Sequence, residues 1–212
     1  MAMNEWHQPS IRGIELRPVV PELYSYLYDM VVGQHEVGIR WRFRGATPSP
    51  EDFSRNIHYG VYAHYVGVRV PTDQIVSYVA AYRADSRDGH CYVAAAVSDQ
   101  TRLRGGAGII SLGLLIDSLF TNAPFRKLYA EAAESNMRQY ASAVPKIFEV
   151  EGCLREHEWF EGQFQDVYIL SLTRERWMRL RSRYGFRSNG LGPPTQRSPN
   201  PAPTVTPALP SP

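Results

Sequence analysis

Arg102-Leu103-Arg104-Gly105-Gly106-Ala107-Gly108 places two guanidinium groups ahead of four residues with little or no side chain. Small residues leave backbone N–H groups bare, and the apolar positions 109, 110, 112, 114, 115, 116, 119 and 120 that follow have helical spacing. A helix that begins inside such a turn aims its unpaired N–H groups and the positive end of its dipole at whatever occupies the turn, which is a phosphate site in outline. A strand-to-helix turn without a ligand uses the same glycines, so the surrounding chain has to decide.

Two phosphate loops are excluded by that surrounding chain. No Gly-Lys-Ser/Thr follows, so this is not a Walker loop. Gly106-x-Gly108-x-x-Ser111, with Glu131 about 20 residues further on, approaches a dinucleotide fingerprint. Beyond Glu131, however, the sequence offers one short helix and a hairpin, too little to continue a doubly wound sheet.

The elements that must position the loop read as follows. Ile14 to Val20 alternates as a first strand, and Pro21-Glu22 opens a helix to about Val32. Ser49 as N-cap and Pro50 at the first position open a second helix to about Ile57. Strands follow at 60–70, 74–84 and 90–98, then the loop helix at 108–121, and a fifth strand at 127–134. A short helix from Asn136 to about Val144 leads to strands at 147–159 and 164–173, turned near Glu161-Gly162, and to a last basic helix. Eight of the sixteen prolines fall in the final twenty residues, so the reading is one domain over 1–186 and a Pro-rich disordered tail over 187–212.

Arg102-x-x-Gly105-x-Ala107 resembles the Arg/Gln-x-x-Gly-x-Gly/Ala pyrophosphate loop of the GNAT superfamily of acyl-CoA N-acyltransferases. Residues 127–136 are similar to the fifth strand of that superfamily and its terminal Asn. Residues 148–170 resemble the closing hairpin of the branch that includes ribosomal-protein N-terminal (alanine) acetyltransferases, and with Ile14 to Pro18 the resemblance spans roughly residues 14–178. It implies an α/β (α+β) fold: a mixed, mostly antiparallel central sheet of about seven strands, splayed between strands four and five and flanked by helices.

The resemblance also implies the chemistry. Acetyl-CoA would lie in the splay, its pantetheine arm along Val97 and Ser98 and its diphosphate on Arg102, Leu103, Arg104, Gly105, Gly106, Ala107 and Gly108, with Asn136 nearby. An acetyl group would pass to a primary amine, of a small molecule or a protein N-terminus, by direct attack in a ternary complex. An alkyl amine of pKa near 10.4 is neutral in only about one molecule in 2,500 at pH 7, so a base is useful. Glu134 and Glu131 are the leading candidates, with His90 and Tyr92 behind them; Tyr140 or Ser142 could protonate the thiolate, although Ala143 occupies the usual Tyr register. Arg40, Arg42 and Arg44 alternate with apolar residues and could clamp an acceptor, and Arg155 and His157 lie in the hairpin where an acceptor could touch them. The competing reading is a CoA-binding or regulatory module of the same architecture that has lost turnover.

Bulk properties narrow the partners. A net charge of +2 from 23 basic and 21 acidic residues argues against nucleic acid. Two cysteines, Cys91 and Cys153, make no disulfide framework or paired metal-ligand spacing, so no metal is expected. With no signal peptide and no membrane span to be read, the expected compartment is the cytoplasm, and a homodimer is compatible with these features.

Overall fold

A computed structural model describes residues 10–33, 46–97, 106–140, 143–144 and 146–186, without the side chains of 138–140. The chain begins with a two-residue strand, β1 (Ser10–Ile11), which turns through Arg12 and Gly13 into β2 (Ile14–Pro18). A 3-10 turn at Pro21–Leu23 leads into α1 (Tyr24–Val32), and α2 (Pro50–Asn56) follows. Then come β3 (Val61–Arg69), β4 (Gln74–Asp85), β5 (His90–Val97), α3 (Ala107–Asn122) and β6 (Lys127–Ala133). The order ends with α4 (Glu134–Tyr140), β7 (Glu149–Phe160), β8 (Gln163–Thr173), α5 (Arg174–Leu180) and a 3-10 turn at Arg181–Tyr184.

Among the described residues the strands form one eight-stranded sheet in the order β1-β2-β3-β4-β5-β6-β8-β7. Every neighbouring pair is antiparallel except β5 and β6. The strand beyond the expected seven is β1, too short to leave a periodic signal.

Local chemistry accounts for several boundaries. Ser49 accepts the Asp52 N–H at 3.1 Å with Pro50 behind it, and Thr173 accepts the Arg176 N–H at 3.2 Å, so both helices start on a hydroxyl cap. The β7–β8 hairpin turns on Glu161 and Gly162, both at positive φ. The expected strand ending at Glu134 instead stops at Ala133, opposite Val167, and Glu134 is the first residue of α4. The reason is Gln165, whose Oε1 accepts the Ser135 N–H at 3.2 Å and so supplies the helix start with an acceptor two residues earlier than expected.

Each face of the sheet buries its own apolar cluster. On one face Leu112, Leu115, Ile116, Leu119 and Phe120 of α3 pack against Val79, Val93, Leu128 and Leu170. On the other, Leu27, Met30 and Val31 of α1 join Phe53, Ile57, Val66, Val68 and Tyr78.

Helix α3 is fastened along its length. Ser77 donates to Ser111 at 2.7 Å beneath Gly67, where a Cβ would come within 2.2 Å of Ser111 Oγ and 2.3 Å of Ser77 Oγ. Further along, Asp117 accepts from Trp177 Nε1 and from Arg181 Nη2, both at 2.8 Å. At its C-terminal end the Arg174 guanidinium donates to the carbonyls of Phe120, Ala123 and Phe125, a cation placed against the negative end of the helix dipole. This fastening fixes where the N-terminus of α3 points. No described helix is long and apolar enough to cross a membrane.

Candidate active site at the fork between β5 and β6

Strands β5 and β6 are the fourth and fifth strands of the sequence reading. They pair only at His90↔Lys127, Cys91↔Leu128 and Tyr92↔Tyr129. Beyond that point β5 stays with β4, through Ala94↔Ala80, Ala95↔Val79, Ala96↔Tyr78 and Val97↔Ser77. Strand β6 stays with β8 to Ala133↔Val167. The strands therefore part, and the edge of β5 from Val93 to Val97 has no ladder partner on the β6 side among the described residues. Such an edge can take an added extended chain through its backbone groups.

The closed end of the fork is aromatic. Tyr92 lies 5.3 Å from Tyr129 and 5.8 Å from Tyr82, ring to ring, and His90 packs edge-on to Tyr129. Arg83 sits where the β4–β5 register shifts, at φ +47°, and this bulge swings its guanidinium over the Tyr82 and Tyr92 rings. Its Nη1 donates to Glu131 Oε1 at 3.1 Å, so an ion pair ties β4 to β6 across the neck of the fork. Burial, and then the negative charge of Glu131, push the Tyr92 hydroxyl above its ordinary range, against a smaller opposing effect of Arg83.

The start of α3 lies at the open end. Gly106 holds φ +65° as its N-cap and provides no side-chain cap, and its carbonyl accepts the Ile110 N–H at 2.9 Å. The N–H groups of Ala107, Gly108 and Ile109 come before that first helical bond and have no acceptor within the helix. A Cβ on Gly108 would lie 2.4 Å from Val97 Cγ2, so this glycine is what lets the helix start against the end of β5. Val97, Gly106, Ala107 and Gly108 are thus brought together; Ser98, Arg102, Leu103, Arg104 and Gly105 lie outside the described residues. Asn136, on α4, has a buried Oδ1 with no hydrogen-bond partner among the described residues, an acceptor in want of a donor.

The other expected residues are dispersed. Glu131 faces the fork but is held by Arg83, whereas Glu134 is exposed in the first turn of α4. Tyr140 ends α4 with its side chain outside the description, and Ser142, Arg40, Arg42, Arg44 and the tail 187–212 lie outside the described residues. Ala143 is buried against the α3 cluster. Arg155 and His157 are exposed on β7, which β8 separates from β6, and Arg155 lies 3.9 Å from Asp166. Cys91 is fully buried and its thiol is pushed up to about 12 by that burial, which leaves it no nucleophilic role.

A polar chain that no sequence motif announced lies on the α1/α2 face. Tyr24 Oη is 2.5 Å from His58 Nε2, His58 Nδ1 is 2.9 Å from His64 Nε2, and His64 Nδ1 is 3.1 Å from Tyr78 Oη. Its members come from α1, the turn after α2, β3 and β4. The inward alternation of His64 on β3 and Tyr78 on β4 was the only available signal.

The fork, with a glycine-started helix at its open end and helices on both faces of a largely antiparallel sheet, is the GNAT fold. No protein-family model matches the sequence, and no curated protein matches it. Among solved structures, spermidine N-acetyltransferase from Vibrio cholerae in complex with CoA and spermine matches with a TM-score of 0.70 at 16% identity, covering 79% of this chain and 99% of that one. RimL, a ribosomal L7/L12 alpha-N-protein acetyltransferase in complex with coenzyme A, matches with a TM-score of 0.67 at 16% identity, covering 78% and 96%. A dodecameric structure of the Vibrio enzyme matches with a TM-score of 0.67 at 15% identity, covering 79% and 98%. At these identities the likeness is one of fold.

Proposed function

We propose that the protein is an acetyl-CoA-dependent N-acetyltransferase that acts on a primary amine, of a small molecule or a protein N-terminus. The observation that carries this reading is the fork itself: a β5 edge that has parted from β6 ends beside the start of α3, where Gly108 abuts Val97 and the first N–H groups have no acceptor within the helix. The residues fit the cofactor, since an extended pantetheine arm matches the free edge at Val93–Val97, and its diphosphate matches a helix start with no acidic residue in its first turn. The orphan Asn136 Oδ1 is suited to receive an amide N–H of that arm. Bound acetyl-CoA supplies the activated thioester. The chain orients it, and a backbone N–H near Val97 stabilises negative charge on the carbonyl oxygen.

The acceptor enters from the α1/α2 face, where Glu131 places a carboxylate at the neck of the fork and Glu134 a second one at the start of α4. Arg40, Arg42, Arg44 and Arg155 complete the proposed acceptor contacts, and Tyr140 is the proposed acid. Because Ala143 leaves the usual Tyr register without a hydroxyl, a binding module without turnover is the second reading. Two measurements separate them. Acetyl-CoA should raise the unfolding temperature by an amount that grows with its concentration, and no shift at millimolar cofactor rejects both readings. Release of CoA thiol with any one amine of a panel of polyamines and short peptides rejects the module, and binding without release for every amine establishes it.

A further inference from the structure

We propose that the Arg83 guanidinium is a built-in stand-in for the acceptor: it fills the place, between the Glu131 carboxylate and the faces of Tyr82 and Tyr92, that the ammonium form of the acceptor amine takes over on binding. The inference rests on the acetyl-transfer reading and names the chemical class of the acceptor, an amine that arrives as a cation.

An amine must meet the thioester along the stretch of β5 that has parted from β6, and the face of the sheet away from α3 is the one left for its approach. Val93, Leu128, Ala130 and Ala132 are buried in the cluster under α3, which closes that face. The residues that alternate with them, Tyr92, Ala94, Tyr129 and Glu131, lie on the opposite face, where Ala94 is exposed. Tyr92↔Tyr129 is the last rung between the two strands, and Glu131 follows it by two residues on β6. Aromatic faces and a carboxylate thus stand together where the strands part.

A cation already fills this place. Arg83 Nη1 donates to Glu131 Oε1 at 3.1 Å, and Cζ lies 5.4 Å from the Tyr92 ring centre and 5.8 Å from that of Tyr82, within reach of a cation–π attraction. The chain adopts an uncommon backbone to put it there: Arg83 is a non-glycine residue at φ +47°, and its own N–H donates to the Gly60 carbonyl at 3.4 Å. With the backbone held in this way, the side chain can swing aside by itself.

Two cations lie over this row of rings, and they are held differently. Lys127 Nζ, 5.1 Å from the Tyr129 ring centre, is bonded to Glu151 at 2.6 Å, and its side chain is 18% exposed. Arg83 is 63% exposed, and an exposed pair is weak enough to be exchanged for another cation. An alkyl amine is a cation at neutral pH and offers Glu131 and the rings what Arg83 offers them. An uncharged molecule displaces Arg83 with nothing in return.

The test measures full-length parent, Arg83→Ala, Arg83→Gln and Arg83→Lys with the alkyl amine of the panel that the parent turns over best. In the Ala and Gln variants KM for the amine should fall roughly three- to sixfold, the weight of an exposed ion pair acting as a competitor, while kcat and KM for acetyl-CoA stay near the parent's. Arg83→Lys keeps the cation and should behave like the parent. Tetramethylammonium, which cannot be acetylated, should inhibit against the amine and gain the same factor in Arg83→Ala, whereas tert-butanol, of similar size and uncharged, should gain nothing. A KM that is unchanged or raised, or a kcat that drops, overturns the inference and shows Arg83 inert or holding Glu131 in a working position, while the acetyl-transfer reading stands. Equal gains for tetramethylammonium and tert-butanol also overturn it, since they show only space vacated by a side chain. No turnover by the parent with any amine overturns the acetyl-transfer reading and this inference with it.

Discussion

The two faces of the sheet are built by different physics. The α3 face is joined by close approach: a glycine under two buried serines, a glycine against Val97, and carbonyls gathered by one arginine. The α1/α2 face carries an apolar cluster too, but rings with polar atoms run through it from Tyr78 out to the exposed His58. Close packing holds a helix terminus at a fixed place, whereas hydrogen-bonded rings tolerate small shifts and can exchange protons. Substitutions on the first face should therefore be read out as stability together with affinity for acetyl-CoA.

The largest effect is expected where the first face is tightest. Gly67→Ala puts a methyl group onto the Ser77–Ser111 hydrogen bond and should cost about 3 kcal/mol in a urea unfolding experiment, the upper part of the range for overpacking. A loss under 0.5 kcal/mol would mean that α3 is free to lift off the sheet. Arg174→Ala comes next: it leaves the carbonyls of Phe120, Ala123 and Phe125 without their charged donor, for an expected loss of about 2 kcal/mol. Lys at that position should recover only part of it, because an ammonium cannot span three carbonyls as a planar fork does.

Gly108→Ala sharpens the comparison, since it lies where packing and binding meet. The new methyl must push the helix start away from Val97, so about 1 kcal/mol of stability and roughly tenfold in acetyl-CoA affinity should go together. Loss of one without the other would separate the helix position from the cofactor site.

The smallest effects belong to exposed or inert groups. Arg83 is 63% exposed in its pair with Glu131, so Arg83→Ala should leave stability within about 0.5 kcal/mol of the parent. A larger change in urea would show that the pair holds the fork together. For the thiols, a maleimide should label Cys153 in the native protein and Cys91 only after unfolding. Burial raises the folded pKa of Cys91 to about 12, so the unfolded chain ionises first. Its contribution is complete below the unfolded value of about 8.5 and is lost as pH rises from there toward about 12. Cys91→Ala should remove that part of the alkaline slope.

The sequence by itself determined the order of elements, because apolar periodicity, the Ser49-Pro50 cap, the Glu161-Gly162 turn and the glycine run before α3 are local signals written within a few residues of where they act. It also placed Val97, Gly106, Ala107 and Gly108 in one neighbourhood, since a strand, a turn and a helix in succession keep their ends close. Only the tertiary structure decided that Glu134 opens a helix, because the acceptor that starts it is Gln165, thirty residues away. Only it showed Glu131 bound to Arg83, as a bulge re-aims that side chain out of strict alternation. The ring chain from Tyr24 to Tyr78 left no signal beyond the inward alternation of His64 and Tyr78, for the same reason: its four members come from four elements, and no spacing within one element can encode a contact that exists only after two helices have settled on the sheet.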